Sequence, residues 1–299
     1  MRAITHKKSR KSIAFNPKTD TLLLRTVSKD MTSHGGTFTW KKAGLVECKD
    51  WDPRPVCGGG LHGLERGIGD GLLLDWSESA MWLVFKAKKS ETVQINSAKS
   101  KARRAWVIFC GAKAEAIQFL IDNGADASKI IGGQATASGD RCQATASGYY
   151  GQATASGDRG QATASGHYGQ ATASGYRCQA TASGDSGQAT ASGYYGQATA
   201  SGDYGQATAS GDSGQATASG DSGQAIGKAG ASHVLAIAGL YGQAEADDKG
   251  VIAIKHWDAK AKRWRLIVGY IGEDDIEPRV RYCVNEQGNL AKVTGTGCA

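Results

Sequence analysis

The sequence lacks the features that mark a membrane protein or a disulfide-built secreted one. It has no run of about 18 apolar residues, the length that a membrane-spanning helix needs. Residues 1–15 are basic but contain no apolar segment, so no secretion signal is predicted. The seven cysteines form no CxxC pair, which favours a reducing cytoplasm over a disulfide scaffold.

The sequence also lacks the motifs of common catalytic sites. Its glycine-rich stretches, 57–63 (CGGGLHG) and 67–71 (GIGDG), are not followed by GK[ST] and form no GxGxxG between a strand and a helix. Cys57 and His62 are candidates for a nucleophile and its base or for two metal ligands, with Asp70 in the same candidate site. No second such pair accompanies them. We therefore expect a protein that is not an enzyme, with no cofactor or metal, and glycines that serve tight turns.

What the sequence does contain is a nine-residue repeat over residues 134–223. The unit QATASG plus three variable residues occurs ten times, and a decayed copy (QAIGKAG) begins at Gln224. Gly- and Ser-rich chains are often flexible linkers, but the QATAS segment has the alternation and composition of a strand. Near-identical copies at a short fixed period are typical of a solenoid, in which each unit is stabilised by its neighbours.

The repeat length predicts a flat, parallel, two-sheet β-roll with two nonapeptides in each coil. Alternate side chains of a strand share a face, so the two alanines of QATAS point one way and Gln, Thr and Ser point the other. Because buried hydroxyls and amides need partners, we predict that the alanines face inward and form a thin core of methyl groups. Stacked Gln side chains are expected to form an amide ladder.

Pairing the repeats places the turns of odd and even copies on opposite edges. All three arginines of the repeat then fall on one edge, and the other edge starts aromatic and ends acidic. Turn tips vary freely, but exposed aromatic and Arg side chains are frequent binding anchors. The candidate binding residues of the two edges are Arg141, Arg159, Arg177, Tyr149, Tyr150, His167, Tyr168, Tyr194 and Tyr195.

Less regular regions flank the repeat. Before it, residues 20–27 are predicted as a strand or short helix, and strands are predicted at 37–40, 44–48, 80–87 and 105–110. An amphipathic helix is predicted at 112–123, and Gly124 is expected to end it. After the repeat, two hairpins are predicted, within 252–271 and 279–293. The fold class is therefore mainly β, with an N-terminal α+β capping domain (1–133), the solenoid (134–254) and a C-terminal β cap (255–299).

The formal charge of +7 is unevenly distributed along the chain. Residues 1–133 hold 22 Lys and Arg against 13 Asp and Glu, whereas the repeat is acidic, with 3 against 6. The excess begins in the basic segment 1–12. A basic domain can attract nucleic acid, so nucleic acid is a possible partner of this region.

Three blocks of the sequence resemble a family of uncharacterised proteins common in phage and prophage genomes. They are CGGGLHG with GDGLLLDW and WLVF, the ATASGD-type repeat, and GVIAIKHWDAKAKRWRLIVGYIGEDDIEPRVRY. The resemblance implies a phage or prophage origin and brings no activity with it. The repeat alone also resembles the β-roll heads of trimeric adhesins. A calcium-binding roll is disfavoured, because Asp occurs in only six of ten turns.

These observations lead to the expectation of a non-enzymatic phage or prophage protein. Its solenoid would bind a host macromolecule, foremost a host protein such as a defence factor, in the cytoplasm of an infected bacterium. The alternatives are a virion or attachment protein, an enzyme in residues 1–133, and ice binding through the regular Thr-x-Ser rows. Because the methyl core is thin, a dimer or trimer is expected. No membrane partner is expected.

Overall fold

The computed structural model describes residues 15–33, 38–97, 99–228, 235–294 and 297–298. The basic segment 1–12 lies outside these residues, as does Thr37, the start of one predicted strand. Contacts divide the chain into two compact units, Met1–Asp126 and Ala127–Ala299. None of the helices in the described residues is long and apolar enough to cross a bilayer.

The first unit is built on a seven-stranded antiparallel sheet with strand order β2-β7-β4-β1-β3-β6-β5. The residues predicted as strand or helix at 20–27 form a strand. One α-helix, α1 (Lys113–Asp122), buries Ala116, Ile117 and Leu120, and Gly124 follows it at φ +85°. The strands are β1 (Asp20–Val27), β2 (Gly44–Glu47), β3 (Leu61–Glu65), β4 (Met81–Lys88), β5 (Thr92–Asn96), β6 (Lys99–Ala102) and β7 (Arg104–Gly111).

The second unit is a parallel two-sheet β-solenoid, as the repeat predicted. Odd copies of the repeat form one sheet, with strands β8 (Gln134–Ser138), β10 (Gln152–Ser156), β12 (Gln170–Ser174), β14 (Gln188–Ser192) and β16 (Gln206–Ser210). Even copies form the other, with strands β9 (Gln143–Ala146), β11 (Gln161–Ala164), β13 (Gln179–Ala182), β15 (Gln197–Ala200) and β17 (Gln215–Ala218). Between neighbouring strands of the ten copies, each residue pairs with the residue 18 positions later, in parallel register.

The core of the solenoid consists mainly of alanine methyl groups, because alternation turns both alanines of each strand inward. In β12, Ala171 and Ala173 are buried while Gln170 and Thr172 are exposed. The turn glycines let successive coils approach closely. A Cβ on Gly184 would lie 2.3 Å from the carbonyl oxygen of Gly166 in the preceding coil, so no larger residue fits there without a shift.

The stack continues past the repeat before antiparallel strands end it. The odd-copy sheet adds β18 (Gln224–Lys228) and β20 (Gln243–Ala246), and the even-copy sheet adds β19 (Leu235–Ala238) and β21 (Val251–Asp258). The predicted hairpins are present. Strand β22 (Arg263–Tyr270) pairs with β21, and β24 (Leu290–Thr294) pairs with β23 (Tyr282–Val284), both antiparallel. Strand β25 (Gly297–Cys298) pairs with β24.

The cysteine pattern favoured a reducing cytoplasm over a disulfide scaffold, but the structure contains a disulfide. Cys283 and Cys298 form a disulfide with a Cα–Cα distance of 5.8 Å. The physical reason is topological: β25 returns along β24, which itself lies against β23, so two cysteines 15 residues apart meet. Within the described residues, Cys142 and Cys178 are free thiols.

Candidate functional site

The outward surface of the odd-copy sheet carries regular columns of hydroxyl groups. We call it the odd-copy face, and it consists of the Gln, Thr and Ser side chains of β8, β10, β12, β14 and β16. In-register pairing aligns Thr154 with Thr172 and Ser156 with Ser174, and the same alignment repeats on every strand. Neighbouring strands of a sheet lie about 4.8 Å apart, and alternate residues of one strand lie about 6.6 Å apart. The face is therefore a two-dimensional lattice of hydroxyls.

The outward surface of the even-copy sheet is similar but narrower. Its Thr column includes Thr163 and Thr181 in the same parallel register. Each of these strands has four residues and ends at an alanine, so the serine comes just after the strand, although its backbone N–H still donates to the preceding coil, as Ser183 does to the carbonyl of Ala164 at 3.0 Å. This even-copy face therefore carries one hydroxyl column within its strands, where the odd-copy face carries two.

Amide ladders connect Gln side chains over the first coils of both faces. The Nε2 of Gln134 donates to the Oε1 of Gln152 at 3.1 Å, and Gln152 donates in turn to Gln170 at 3.5 Å. On the even-copy face, the Nε2 of Gln179 donates to Gln197 at 3.2 Å. The predicted ladder is thus present. These bonds order side chains that would otherwise rotate freely, so the columns beside them lie on a rigid surface.

The charged residues of the repeat all lie in its turns. No Asp, Glu, Lys, Arg or His occurs in any of the ten QATAS segments. Charges return to the stack only beyond the repeat, where Glu245 of β20 continues the column of Ile226. Because ionised groups hold water tightly around themselves, their absence leaves two faces whose hydration is set by hydroxyl, amide and methyl groups.

The three arginines share one edge, as predicted. The strands before them, β8, β10 and β12, are neighbours in one sheet. The backbone N–H of Arg141 donates to the carbonyl of Asp158 in the next turn at 2.7 Å. The guanidinium of Arg177 lies 5.4 Å from the ring centroid of Tyr195, whose ring meets that of Tyr194 edge-on.

The aromatic residues of the even-copy edge also come together. Tyr150 stacks on Tyr168 at 5.0 Å between ring centroids, and Tyr149 lies 5.9 Å from His167. The Nδ1 of His167 lies 3.5 Å from a carboxylate oxygen of Asp185. The structure therefore assembles the candidate residues into two clusters. Their role in binding stays a prediction.

The three candidate residues of the N-terminal region have different surroundings. Cys57 is an exposed free thiol, whereas His62 is half-buried on β3 and lines a cavity. Asp70 caps a short 3₁₀ turn, where its Oδ1 accepts a hydrogen bond from the N–H of Leu72. Cys57 is not among the residues that line the cavity of His62. No group of three or more His, Cys, Asp and Glu in the described residues is placed to hold a metal ion.

Sequence reasoning missed Arg25, which lies in the same cavity as His62. Its guanidinium lies 4.5 Å from the ring centroid of Trp40 and donates to the carbonyl of His62 at 3.3 Å. Cys48 lines this cavity too, and burial with a hydrogen bond to Asp50 raises the pKa of its thiol to about 11. A thiol with this pKa is a poor nucleophile at neutral pH. The available signal was a charged residue in the middle of the apolar run DTLLLRTV.

Comparison with known proteins relates the chain to bacterial ice nucleation proteins. It is 37% identical over 106 residues to ice nucleation protein InaU of Pantoea ananas, a match that covers 35% of this chain and 10% of that protein. It is 37% identical over 106 residues to an ice nucleation protein of Enterobacter agglomerans, a match that covers 35% of this chain and 8% of that protein. It is 34% identical over 103 residues to an ice nucleation protein of Pseudomonas fluorescens, a match that covers 34% of this chain and 8% of that protein. The chain thus spans about a tenth or less of the curated relatives it matches. No family model and no solved structure matches the chain.

These relatives overturn the expected function. A phage or prophage scaffold that binds a host macromolecule is contradicted, because the proteins similar to this chain are bacterial ice nucleation proteins. The viral and anti-defence interpretation is wrong for the same reason, and so is the predicted location in infected cytoplasm or in a virion. The resemblance to phage proteins rested largely on the blocks that flank the repeat. What holds is a repeat-built β-solenoid that is similar, over about a third of the chain, to ice nucleation proteins.

Proposed function

We propose that this protein binds ice, without enzymatic activity, through the odd-copy face of its solenoid. The observation that carries the proposal is the in-register lattice of Thr and Ser hydroxyls on that face. The similarity to ice nucleation proteins supports the same function.

An ordered protein surface can match the order of an ice crystal. Ice presents water oxygens at fixed repeats, and a surface that holds water in a similar repeat adds little disorder where it joins the crystal. The parallel strands supply one repeat, between coils, and Thr and Ser two residues apart supply the other, along each strand. A flexible surface would lose entropy on contact, but here the strands are stacked on a methyl core, and a Gln ladder orders the first coils.

The odd-copy face is favoured over the even-copy face because its strands contain both hydroxyl columns. On the even-copy face the serines come just after the strand end. A lattice needs two fixed directions, and only the odd-copy face supplies the second direction from within its strands.

A pair of matched substitutions tests the proposal. Thr172→Lys places a hydrated charge at the middle of the odd-copy face, and Thr181→Lys places the same charge at the middle of the even-copy face. We expect Thr172→Lys to abolish most of the thermal hysteresis of the full chain, and Thr181→Lys to retain most of it. Circular dichroism establishes that both variants fold. Absence of ice activity in the wild-type chain would overturn the proposal. Loss in Thr181→Lys alone would overturn the choice of face.

A further inference from the structure

The first unit contains an open cavity of about 620 Å³, a volume within the range of small-molecule sites. We call it the Arg25 cavity. Its lining includes Arg25, Trp40, Cys48 and His62 together with the glycine-rich loop 58–60. Arg25 also lines two neighbouring cavities, and His62 lines one of these. The two side chains therefore lie between neighbouring cavities of this unit.

Arg25 is a half-buried cation without an ion-pair partner among the described residues. Within the described residues its guanidinium donates to two backbone carbonyls, those of Thr26 at 3.4 Å and His62 at 3.3 Å, and it lies against the Trp40 ring. Burial lowers the pKa of Arg25 to about 10, so the group stays charged at neutral pH. A charge withdrawn from water is costly unless an opposite charge offsets the loss.

His62 provides a second unpaired group at the same place. Its Nε2 is buried and has no hydrogen-bond partner in the part of the chain that the structure describes. Burial is the main reason that the pKa of His62 is lowered to about 4, and the positive charges of Lys99, Arg25 and Lys101 lower it further. The surroundings of this imidazole are therefore electropositive.

The glycine-rich loop is held in place by a buried lysine. The Nζ of Lys101 donates to the carbonyls of Val56 at 2.8 Å and Gly58 at 2.9 Å. The left-handed backbone of Gly58 (φ +99°) and Gly59 (φ +45°) allows this path. The loop thus forms a fixed wall of the cavity, and the lysine that fixes it adds positive charge near His62.

Asp50 is the one acidic residue among the described residues that line this cavity. It is exposed, and its Oδ1 accepts a hydrogen bond from the Sγ of Cys48 at 2.8 Å. The exposed Lys49 beside it lines the cavity as well. One exposed carboxylate therefore does not neutralise the cations that surround His62.

We propose that the Arg25 cavity binds a small molecule through an oxyanion group, a carboxylate or a phosphate, which is held by the guanidinium of Arg25 and the imidazole of His62. The bound anion supplies the counter-charge that Arg25 lacks. It also favours protonation of His62, so that Nε2 becomes a hydrogen-bond donor to the ligand. Charge-assisted hydrogen bonds of this kind are among the stronger polar contacts in proteins.

Titration of the full chain, labelled with ¹⁵N in its histidines, tests the proposal. The probes are inorganic phosphate and acetate, with sodium chloride at matched ionic strength as the control, and His62→Gln identifies the His62 signals. We expect phosphate or acetate to shift those signals saturably toward the protonated form. The probe that binds with higher affinity shows whether the site prefers a phosphate or a carboxylate. No saturable shift with either probe, or an equal shift with chloride, would overturn the proposal.

Variants separate the cavity from general charge effects. Arg25→Gln is expected to weaken binding of the effective probe about tenfold or more, because it removes charged hydrogen bonds. Arg263→Gln removes the same charge from an exposed position on β22 and is expected to leave binding unchanged. If Arg25→Gln does not fold, calorimetry measures binding of the effective probe to Arg25→Lys and His62→Gln instead. We expect Arg25→Lys to retain part of the affinity and His62→Gln to reduce it. Unchanged affinity in both variants would contradict the assignment.

Discussion

Thr172 stands directly beside Thr190 on the neighbouring parallel strand, 18 residues further along the chain. This pairing recurs through the odd copies of the repeat because each coil contains two nonapeptides. The hydroxyl columns are thus a direct product of the repeat length. Any change that disturbs the stacking of coils should also disturb the proposed ice-binding face.

The turn glycines control this stacking. We expect Gly184→Ala to destabilise the solenoid by about 1–3 kcal/mol, because its Cβ would meet the carbonyl oxygen of Gly166 at 2.3 Å. Urea unfolding followed by circular dichroism measures the change. The matched control is Ser183→Ala, which alters the exposed neighbouring residue and should have little effect. Equal stability of the two variants would show that the coils can separate to admit a methyl group.

Thiol reactivity should follow burial. Cys57 is exposed, whereas Cys178 is buried in a corner of the solenoid, where its Sγ lies 3.4 Å from the carbonyl oxygen of Ala173. Burial also raises the pKa of the Cys178 thiol. We expect iodoacetamide to modify Cys57 first and Cys178 only after unfolding, as measured by mass spectrometry of peptides. Early modification of Cys178 would argue against a closed corner.

Mild acid should destabilise the first unit through His62. Its pKa is lowered from 6.5 to about 4 in the folded chain, so between these values the unfolded chain binds a proton that the folded chain does not. Stability should therefore fall as the pH decreases from about 6.5 to about 4. Denaturant unfolding followed by tryptophan fluorescence measures this slope. His62→Gln should flatten it, and an unchanged slope would contradict the burial of the imidazole.

The disulfide should stabilise the end of the second unit. Cys283 and Cys298 close a loop of 15 residues, for which a chain-entropy model gives about 3 kcal/mol. We expect Cys298→Ser to lower the stability of this end, as measured by hydrogen exchange in β23 and β24. Cys57→Ser, at an exposed free thiol, is the control. Detection of seven free thiols in the unfolded, unreduced wild-type chain would show that the bond does not form.

The solenoid could be predicted from the sequence because its rules are local. A strict period fixes the pairing of copies, and the alternation in QATAS fixes which side chains face inward. The shared edge of Arg141, Arg159 and Arg177 followed from these two facts alone. Capping of the repeat by residues 1–133 and the predicted oligomer stay predictions.

The features that escaped prediction depend on contacts between distant residues. Arg25 lies in a buried strand, and only the return of β3 beside β1 brings it to His62. Cys298 meets Cys283 only because β25 folds back along β24. The expected function was wrong because it was inferred mainly from the blocks that flank the repeat. The Thr-x-Ser rows, which suggested ice binding, received less weight.

Adsorption to ice tests the central claim most directly. The full chain, labelled with a fluorophore at Cys57, would be exposed to a slowly growing ice hemisphere beside a labelled protein of similar size without an ice-binding face. The account predicts that the wild-type chain enters the ice and the control stays in the liquid, with Thr172→Lys largely excluded. Exclusion of the wild-type chain to the same extent as the control would contradict it.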